Sequence, residues 1–149
     1  MITYPIPYVE TISFLEDYVY IYRIGRIGQS VSIEKMQKNE KNYDKVIRSL
    51  TEFYDKLEKT IPCTKAHKSY IASIIARVVA GKIKILLSYP VSKEKMKECK
   101  EYDDELKRCY PDIYGKNKNI AIKILRKTSY KAYWAAHAVL KVKIKVSSI

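Results

Sequence analysis

The sequence predicts a mainly α-helical protein, in which a short N-terminal β element precedes a bundle of roughly four helices. From Ser32 onward, apolar residues recur at spacings of three, four and seven, which is the pattern of amphipathic helices. Before Ser32, the second half of residues 12–22 alternates between two faces, which is typical of a strand. The 149 residues are 47% hydrophobic and 30% charged, enough for a folded core. We therefore divide the chain into residues 1–32, a β strand with a Gly/Arg loop, and residues 33–149, a helical domain.

The β element is predicted within residues 12–22, ISFLEDYVYIY, whose second half places valine and isoleucine on one face and tyrosines on the other. The preceding YPIPYV contains two prolines, which favour an extended segment. A strand needs a partner, and within this chain residues 1–10 are the candidate. The strand runs into the loop RIGRIGQS.

The first helix is predicted from Ser32 to Pro62, with Ser30 or Ser32 as its N-cap. A second helix, from about Thr64 to Ser88, has a wide apolar face and alanines four residues apart, so we expect it at the centre of the bundle.

A third, highly charged helix is predicted from an N-cap at Ser92 to about Cys109, and CYPDIYGKNKN is predicted to be a loop from its Pro, Gly and Asn content. The fourth helix is predicted from about Asn119 to Val146. Its apolar side is Ile120, Ile124, Leu125, Thr128, Ala132, Ala135, Val139, Val142 and Val146.

The net charge of +13 is concentrated in two segments: residues 63–90 hold five bases and no acid, and residues 116–149 hold nine bases and no acid. The fourth helix combines these bases with an apolar stripe and with Trp134, Tyr130 and Tyr133. Three interpretations stay open. The helix contacts an anionic membrane, it attracts nucleic acid, or it is a bundle helix with a solvated lysine face.

The sequence indicates no metal site and no catalytic group. Its three cysteines form no CxxC pair, and the two histidines are distant in sequence, so we expect reduced thiols and structural histidines. The longest nearly apolar run, residues 71–80, contains a serine and an arginine and is too short to span a bilayer. The N-terminus lacks the charge pattern of a signal peptide, which favours a cytoplasmic location.

The loop RIGRIGQS carries glycines, arginines and a serine just before a helix start. Glycine allows close backbone approach, and arginine donates paired hydrogen bonds to phosphate, so this is a candidate phosphate-facing corner. Its spacing is neither GxGxxG nor a Walker loop, and a plain strand-to-helix turn with solvated arginines explains it equally well.

The stretch LEDYVYIYRIGRIGQSVS resembles the segment that closes the catalytic domain of bacterial family 2 glycosyltransferases, of the kind found in capsule and exopolysaccharide clusters. The resemblance covers about residues 4–32. The matching positions are Tyr20, Tyr22, Arg23, Gly25, Arg26, Gly28, Gln29, Ser30, Val31 and Ser32. Ile27 departs from the family, in which an acidic residue is expected there.

The resemblance implies that four loop residues border a substrate cleft: Arg23, Arg26, Gln29 and Ser30. It transfers no catalytic residue, because the family's nucleotide-sugar-binding half, DxD motif and catalytic acid lie upstream of this segment. Asp103-Asp104 lies within a predicted helix and is not that motif. A divalent metal and a nucleotide-sugar are therefore expected only for a full-length enzyme, and no cofactor is expected in this chain.

The resemblance thus predicts a C-terminal, non-catalytic portion of a glycosyltransferase of bacterial surface polysaccharide synthesis, which shapes the cleft and supports acceptor or membrane contact. We expect it to transfer no sugar alone and to lie in the cytoplasm or at the inner face of the membrane. Expected partners are the missing catalytic half, an anionic membrane contacted by the fourth helix, or a second copy paired through an open strand edge. The alternative is a stand-alone basic helical adaptor that binds a protein, an anionic membrane or, less favourably, nucleic acid.

Overall fold

The computed structural model describes residues 3–13 and 33–146, with the side chains of residues 3–13 and 34–140. These ranges are mainly helical, as the sequence predicts. The helices are α1 (Ile33–Lys38), α2 (Glu40–Lys56), α3 (Lys65–Ser88), α4 (Lys93–Cys109), α5 (Pro111–Gly115), α6 (Ile120–Lys127) and α7 (Tyr133–Val146). The predicted strand and the loop that follows it lie outside the described residues. The predicted division at residue 32 therefore stays a prediction.

The N-terminal segment forms a 3-10 turn at Ile6–Tyr8, so the prediction of an extended YPIPYV was wrong for these residues. Pro5 has φ −75° and ψ −15°, a helical conformation that the fixed φ of proline allows. The Tyr4 ring packs edge-on to Phe53, with 4.6 Å between centroids, and its hydroxyl lies 2.7 Å from Ser49 Oγ. These contacts dock the segment on α2.

The predicted first helix is two helices, because the chain breaks at Asn39 and α2 ends at Lys56, before Pro62. Glu58 turns the chain with φ 68°, and a single bridge joins Leu57 to Ile61. Helix α2 turns an apolar side inward, with Ile47, Leu50, Phe53 and Tyr54 buried.

Helix α3 is the central helix, as predicted, and it packs against α1, α2, α4, α5 and α7. Its N-cap is Thr64, whose Oγ1 accepts a hydrogen bond from the backbone N–H of His67 at 3.1 Å. A helix leaves its last carbonyls without partners. Here α7 supplies two: the Tyr133 hydroxyl donates to Leu86 O at 3.0 Å, and His137 Nδ1 lies 2.7 Å from Leu87 O.

Helix α4 confirms the predicted third helix, with Ser92 as its N-cap and its end at Cys109. The following segment was predicted to be a loop, but Pro111–Gly115 forms the helix α5. Proline suits the first turn of a helix, and burying Ile113 completely gives this turn a hydrophobic anchor.

The predicted fourth helix is also two helices, α6 and α7, because Ser129 and Tyr130 adopt left-handed conformations with φ 47° and 66°. The break places the Tyr130 side chain in the core and resets the register of α7. The predicted apolar side was therefore largely wrong. Of its described members Leu125 is buried, Ile120, Ile124 and Val139 are exposed, and Thr128, Ala132 and Ala135 are partly exposed. The buried side is instead Ile122, Leu125, Tyr133 and His137.

Candidate functional site

The four residues predicted to border a substrate cleft, Arg23, Arg26, Gln29 and Ser30, lie outside the described residues. The structure therefore neither brings them together nor separates them. Within residues 3–13 and 33–146, no group of three or more His, Cys, Asp or Glu side chains could hold a metal ion. The candidate site in the described structure is a surface of α6 and α7.

This surface exposes three large apolar side chains, and the sequence pattern assigned two of them, Ile120 and Ile124, to the apolar side of the fourth helix. Ile120 is 74% exposed, Ile124 50% and Trp134 68%. Exposed lysines alternate with them, at positions 123, 127 and 131. We call the six residues Ile120, Lys123, Ile124, Lys127, Lys131 and Trp134 the lysine–apolar face. Val139 adds a further apolar side chain, 56% exposed, to the outer side of α7.

The lysines of this face carry charges that no described carboxylate neutralises. Ion pairs elsewhere engage Lys68, Lys82, Lys95 and Lys97, but none in the described part of the chain includes Lys123, Lys127 or Lys131. No acidic residue follows Asp112 in the sequence. The face therefore presents a positive potential next to exposed apolar side chains.

A buried ion pair helps to set the rotation of α6, which carries Ile120, Lys123, Ile124 and Lys127 of this face. Arg126 donates from Nε to Asp103 Oδ2 at 2.8 Å and from Nη2 to Asp103 Oδ1 at 2.7 Å. Its Nη1 donates to Tyr114 O at 2.8 Å, and its guanidinium carbon lies 3.5 Å from the centroid of the Tyr114 ring. Bidentate pairing and ring stacking together allow one orientation of Arg126, and so of α6. Asp103 is 1% exposed, although the sequence suggested only a charged helix there.

Between α6 and α7 the surface forms a shallow, open depression. Its lining consists of Lys127, Thr128, Ser129, Lys131, Ala132 and Trp134. Two lysines, two hydroxyls and one indole therefore converge on one concavity, with no carboxylate among them.

A second polar cluster joins α2 to the end of α3 and has a different character. Lys82 Nζ lies 2.7 Å from Glu40 Oε1 and 2.8 Å from Asp44 Oδ1, and the Tyr89 hydroxyl donates to Glu40 Oε2 at 2.6 Å. Burial raises the pKa of Glu40, but these hydrogen bonds and the charges of Lys82 and Lys95 outweigh it and lower the pKa overall. Because its members are bonded to one another, we assign the cluster the structural role of holding α2 and α3 together, and we assign it no catalytic group.

Two of the described cysteines, Cys63 and Cys99, are not activated nucleophiles. Burial, with the nearby charges of Asp103 and Glu98, raises the pKa of the Cys99 thiol to about 12. Burial and the charge of Glu58 raise the pKa of Cys63 as well. A thiol with a raised pKa is protonated at neutral pH and reacts slowly.

Within the described ranges, no helix has both the length and the apolar character required to cross a bilayer. Comparison with protein-family models, with curated proteins and with solved structures finds no match. The resemblance to family 2 glycosyltransferases therefore rests on the sequence motif alone.

Proposed function

We propose that the helical domain is a non-catalytic docking module that rests on an anionic membrane surface through the lysine–apolar face. One observation carries the proposal: Ile120, Ile124 and Trp134 are exposed beside three lysines that lack described carboxylate partners. Apolar side chains of this kind enter the boundary between head groups and acyl chains, while each lysine near an anionic surface contributes about 1 kcal/mol.

The exposed apolar residues favour a membrane over the other two interpretations of the basic segment. A solvated lysine face gains nothing from isoleucines that contact water. A nucleic-acid backbone rewards the lysines through counterion release, but it offers no apolar surface to Ile120 and Ile124. Trp134 suits the boundary of a membrane, because its ring is apolar and its N–H is polar.

Vesicle sedimentation tests the docking. The protein is expected to bind phosphatidylcholine vesicles that contain phosphatidylglycerol, and to stay in solution with phosphatidylcholine alone. Replacing Lys123, Lys127 and Lys131 together by Gln is expected to weaken binding by about tenfold or more. The matched control replaces Lys41, Lys45 and Lys100, three exposed lysines on α2 and α4, by Gln. An equal loss in both triple variants would show that net charge alone, and not this face, drives binding.

The apolar contribution needs its own variant. Trp134→Ala is expected to weaken binding to anionic vesicles, whereas Tyr8→Ala, which removes another exposed aromatic ring outside this face, is expected to leave it unchanged.

Binding to a DNA duplex that is stronger than binding to anionic vesicles at the same salt concentration would favour the nucleic-acid interpretation instead.

We further propose that this module is the C-terminal portion of a family 2-like glycosyltransferase of bacterial surface polysaccharide synthesis. The motif over residues 4–32 supports this, and so does the helix α1, which begins at Ile33 directly after the motif. Docking would then hold the cleft bordered by Arg23, Arg26, Gln29 and Ser30 at the cytoplasmic face of the membrane, near a lipid-linked acceptor. A genomic reading frame without an upstream nucleotide-sugar-binding domain would contradict this parentage and leave a stand-alone adaptor.

A further inference from the structure

We infer that the depression between α6 and α7 binds the phosphomonoester head group of a lipid. The inference rests on the docking proposed above and specifies which lipid is recognised. Bulk attraction to an anionic surface needs only exposed lysines, whereas a concavity lined by two of them can distinguish one head group from another.

The charge of the lining matches a dianion. Lys127 and Lys131 both line the depression, and neither forms an ion pair with a described residue. A phosphomonoester carries a charge of about −1.5 to −2 at neutral pH, since its second pKa is about 6. Two neighbouring ammonium groups favour the fully ionised form. A phosphodiester offers one negative charge, so it would engage the pair of lysines less strongly.

The hydrogen-bond donors fit the same ligand. The Thr128 hydroxyl already donates to Ile124 O at 3.0 Å and to Leu125 O at 3.2 Å, so it shapes the depression without donating to a ligand. Ser129 is exposed and also lines the depression, and no described hydrogen bond engages its hydroxyl. With the two ammonium groups, this gives three donors for three phosphate oxygens.

Trp134 lines the depression and so indicates how deep in the membrane boundary the depression lies. Indole rings at membrane boundaries lie at the level of the head groups. When the lysine–apolar face is docked, a depression that shares the Trp134 ring therefore opens at the level where the lipid phosphates lie. An arriving head group needs no extraction from the bilayer to reach Lys127 and Lys131.

The test compares vesicles of equal surface potential that contain either phosphatidic acid, a phosphomonoester, or phosphatidylglycerol, a phosphodiester. The wild-type chain is expected to bind the phosphatidic acid vesicles about fivefold more tightly. Lys127→Gln with Lys131→Gln is expected to remove this preference. The matched control, Lys116→Gln with Lys118→Gln, changes two exposed lysines that do not line the depression and is expected to keep the preference. Since all four lysines are exposed, both variants should fold, which circular dichroism verifies.

Soluble glycerol phosphate separates this inference from the docking itself. Trp134 is the single tryptophan, so its fluorescence reports directly on the depression. The wild-type chain is expected to respond saturably, and the Lys127/Lys131 variant is expected not to. Anionic vesicle binding without a phosphatidic acid preference overturns the head-group site and leaves the docking intact. A response to glycerol phosphate without any vesicle binding overturns the docking and the lipid source, and assigns the site to a free phosphomonoester. No response in either assay overturns both.

Discussion

At the scale of single residues, the Asp103–Arg126 pair joins α6 to α4. Its side chains are 2% and 13% exposed. Asp103→Asn keeps the shape of the side chain but leaves the Arg126 guanidinium buried without a counter-charge. Breaking a buried pair in this way costs about 3 kcal/mol of the free energy of unfolding. Urea denaturation followed by circular dichroism measures the loss.

The neighbouring residue provides the control. Asp104 is of the same type and on the same helix but is exposed, so Asp104→Asn is expected to change the free energy of unfolding by less than about 0.5 kcal/mol. Similar losses in the two variants would contradict the role given to the pair. The sequence shows two adjacent aspartates without distinguishing them, because the partner Arg126 lies 23 residues away and meets Asp103 only in the folded chain.

At the scale of elements, the helix ends that depend on local chemistry could be predicted and those that depend on packing could not. Thr64 and Ser92 cap α3 and α4 with their own hydroxyls, which is a local signal. The break between α6 and α7 contains neither Gly nor Pro. A left-handed residue costs about 1–2 kcal/mol, and the break contains two, Ser129 and Tyr130. The burial of the Tyr130 and Tyr133 side chains acts against that cost. No pattern within residues 119–146 shows that the chain turns here and buries both Tyr130 and Tyr133.

The polar cluster of Lys82, Glu40 and Asp44 between α2 and α3 predicts how stability depends on pH. Burial lowers the pKa of Lys82, but hydrogen bonds to Asp44 and Glu40 outweigh it and raise the pKa overall, while the pKa of Glu40 is lowered. The stability from Glu40 is therefore present above the ordinary carboxyl range and is lost as the pH falls through its lowered pKa. Lys82→Met is expected to lower the free energy of unfolding by about 1–2 kcal/mol at neutral pH, since both carboxylates are partly exposed.

The pH dependence distinguishes this connection from simple packing. The difference between wild type and Lys82→Met should shrink below about pH 4, as the pH falls through the lowered pKa of Glu40. Lys84→Met, an exposed position on the same helix, serves as the control and should show little difference at any pH. A deficit in Lys82→Met that stays constant from neutral to acid pH would point to lost packing of the lysine stem instead of lost charge pairing.

At the scale of the whole molecule, the sequence shows where the charges lie along the chain. It does not show which apolar side chains lie beside them on the surface. The sequence alone locates the nine bases without an acid after residue 115. It does not show that Ile120, Ile124 and Trp134 accompany them at the surface, because that depends on the register that Arg126 and Tyr130 impose. By contrast, α4 exposes lysines and glutamates in alternation, with pairs such as Lys95–Glu98 at 2.7 Å, and so presents a surface suited to water.

The difference between the lysine–apolar face and the ion-paired surface of α4 predicts how the domain is oriented on a membrane. A spin label at Ile120→Cys, on the lysine–apolar face, is expected to lose its accessibility to a water-soluble relaxation agent when anionic vesicles are added, because the label enters the bilayer boundary. A label on the native Cys109, exposed at the end of α4, is expected to keep its accessibility. Cys63→Ser removes the partly exposed thiol, and the buried Cys99 with its raised pKa should resist labelling. Equal protection of both labels would show that the domain aggregates on the vesicle or approaches it in no fixed orientation, and would contradict docking through this face.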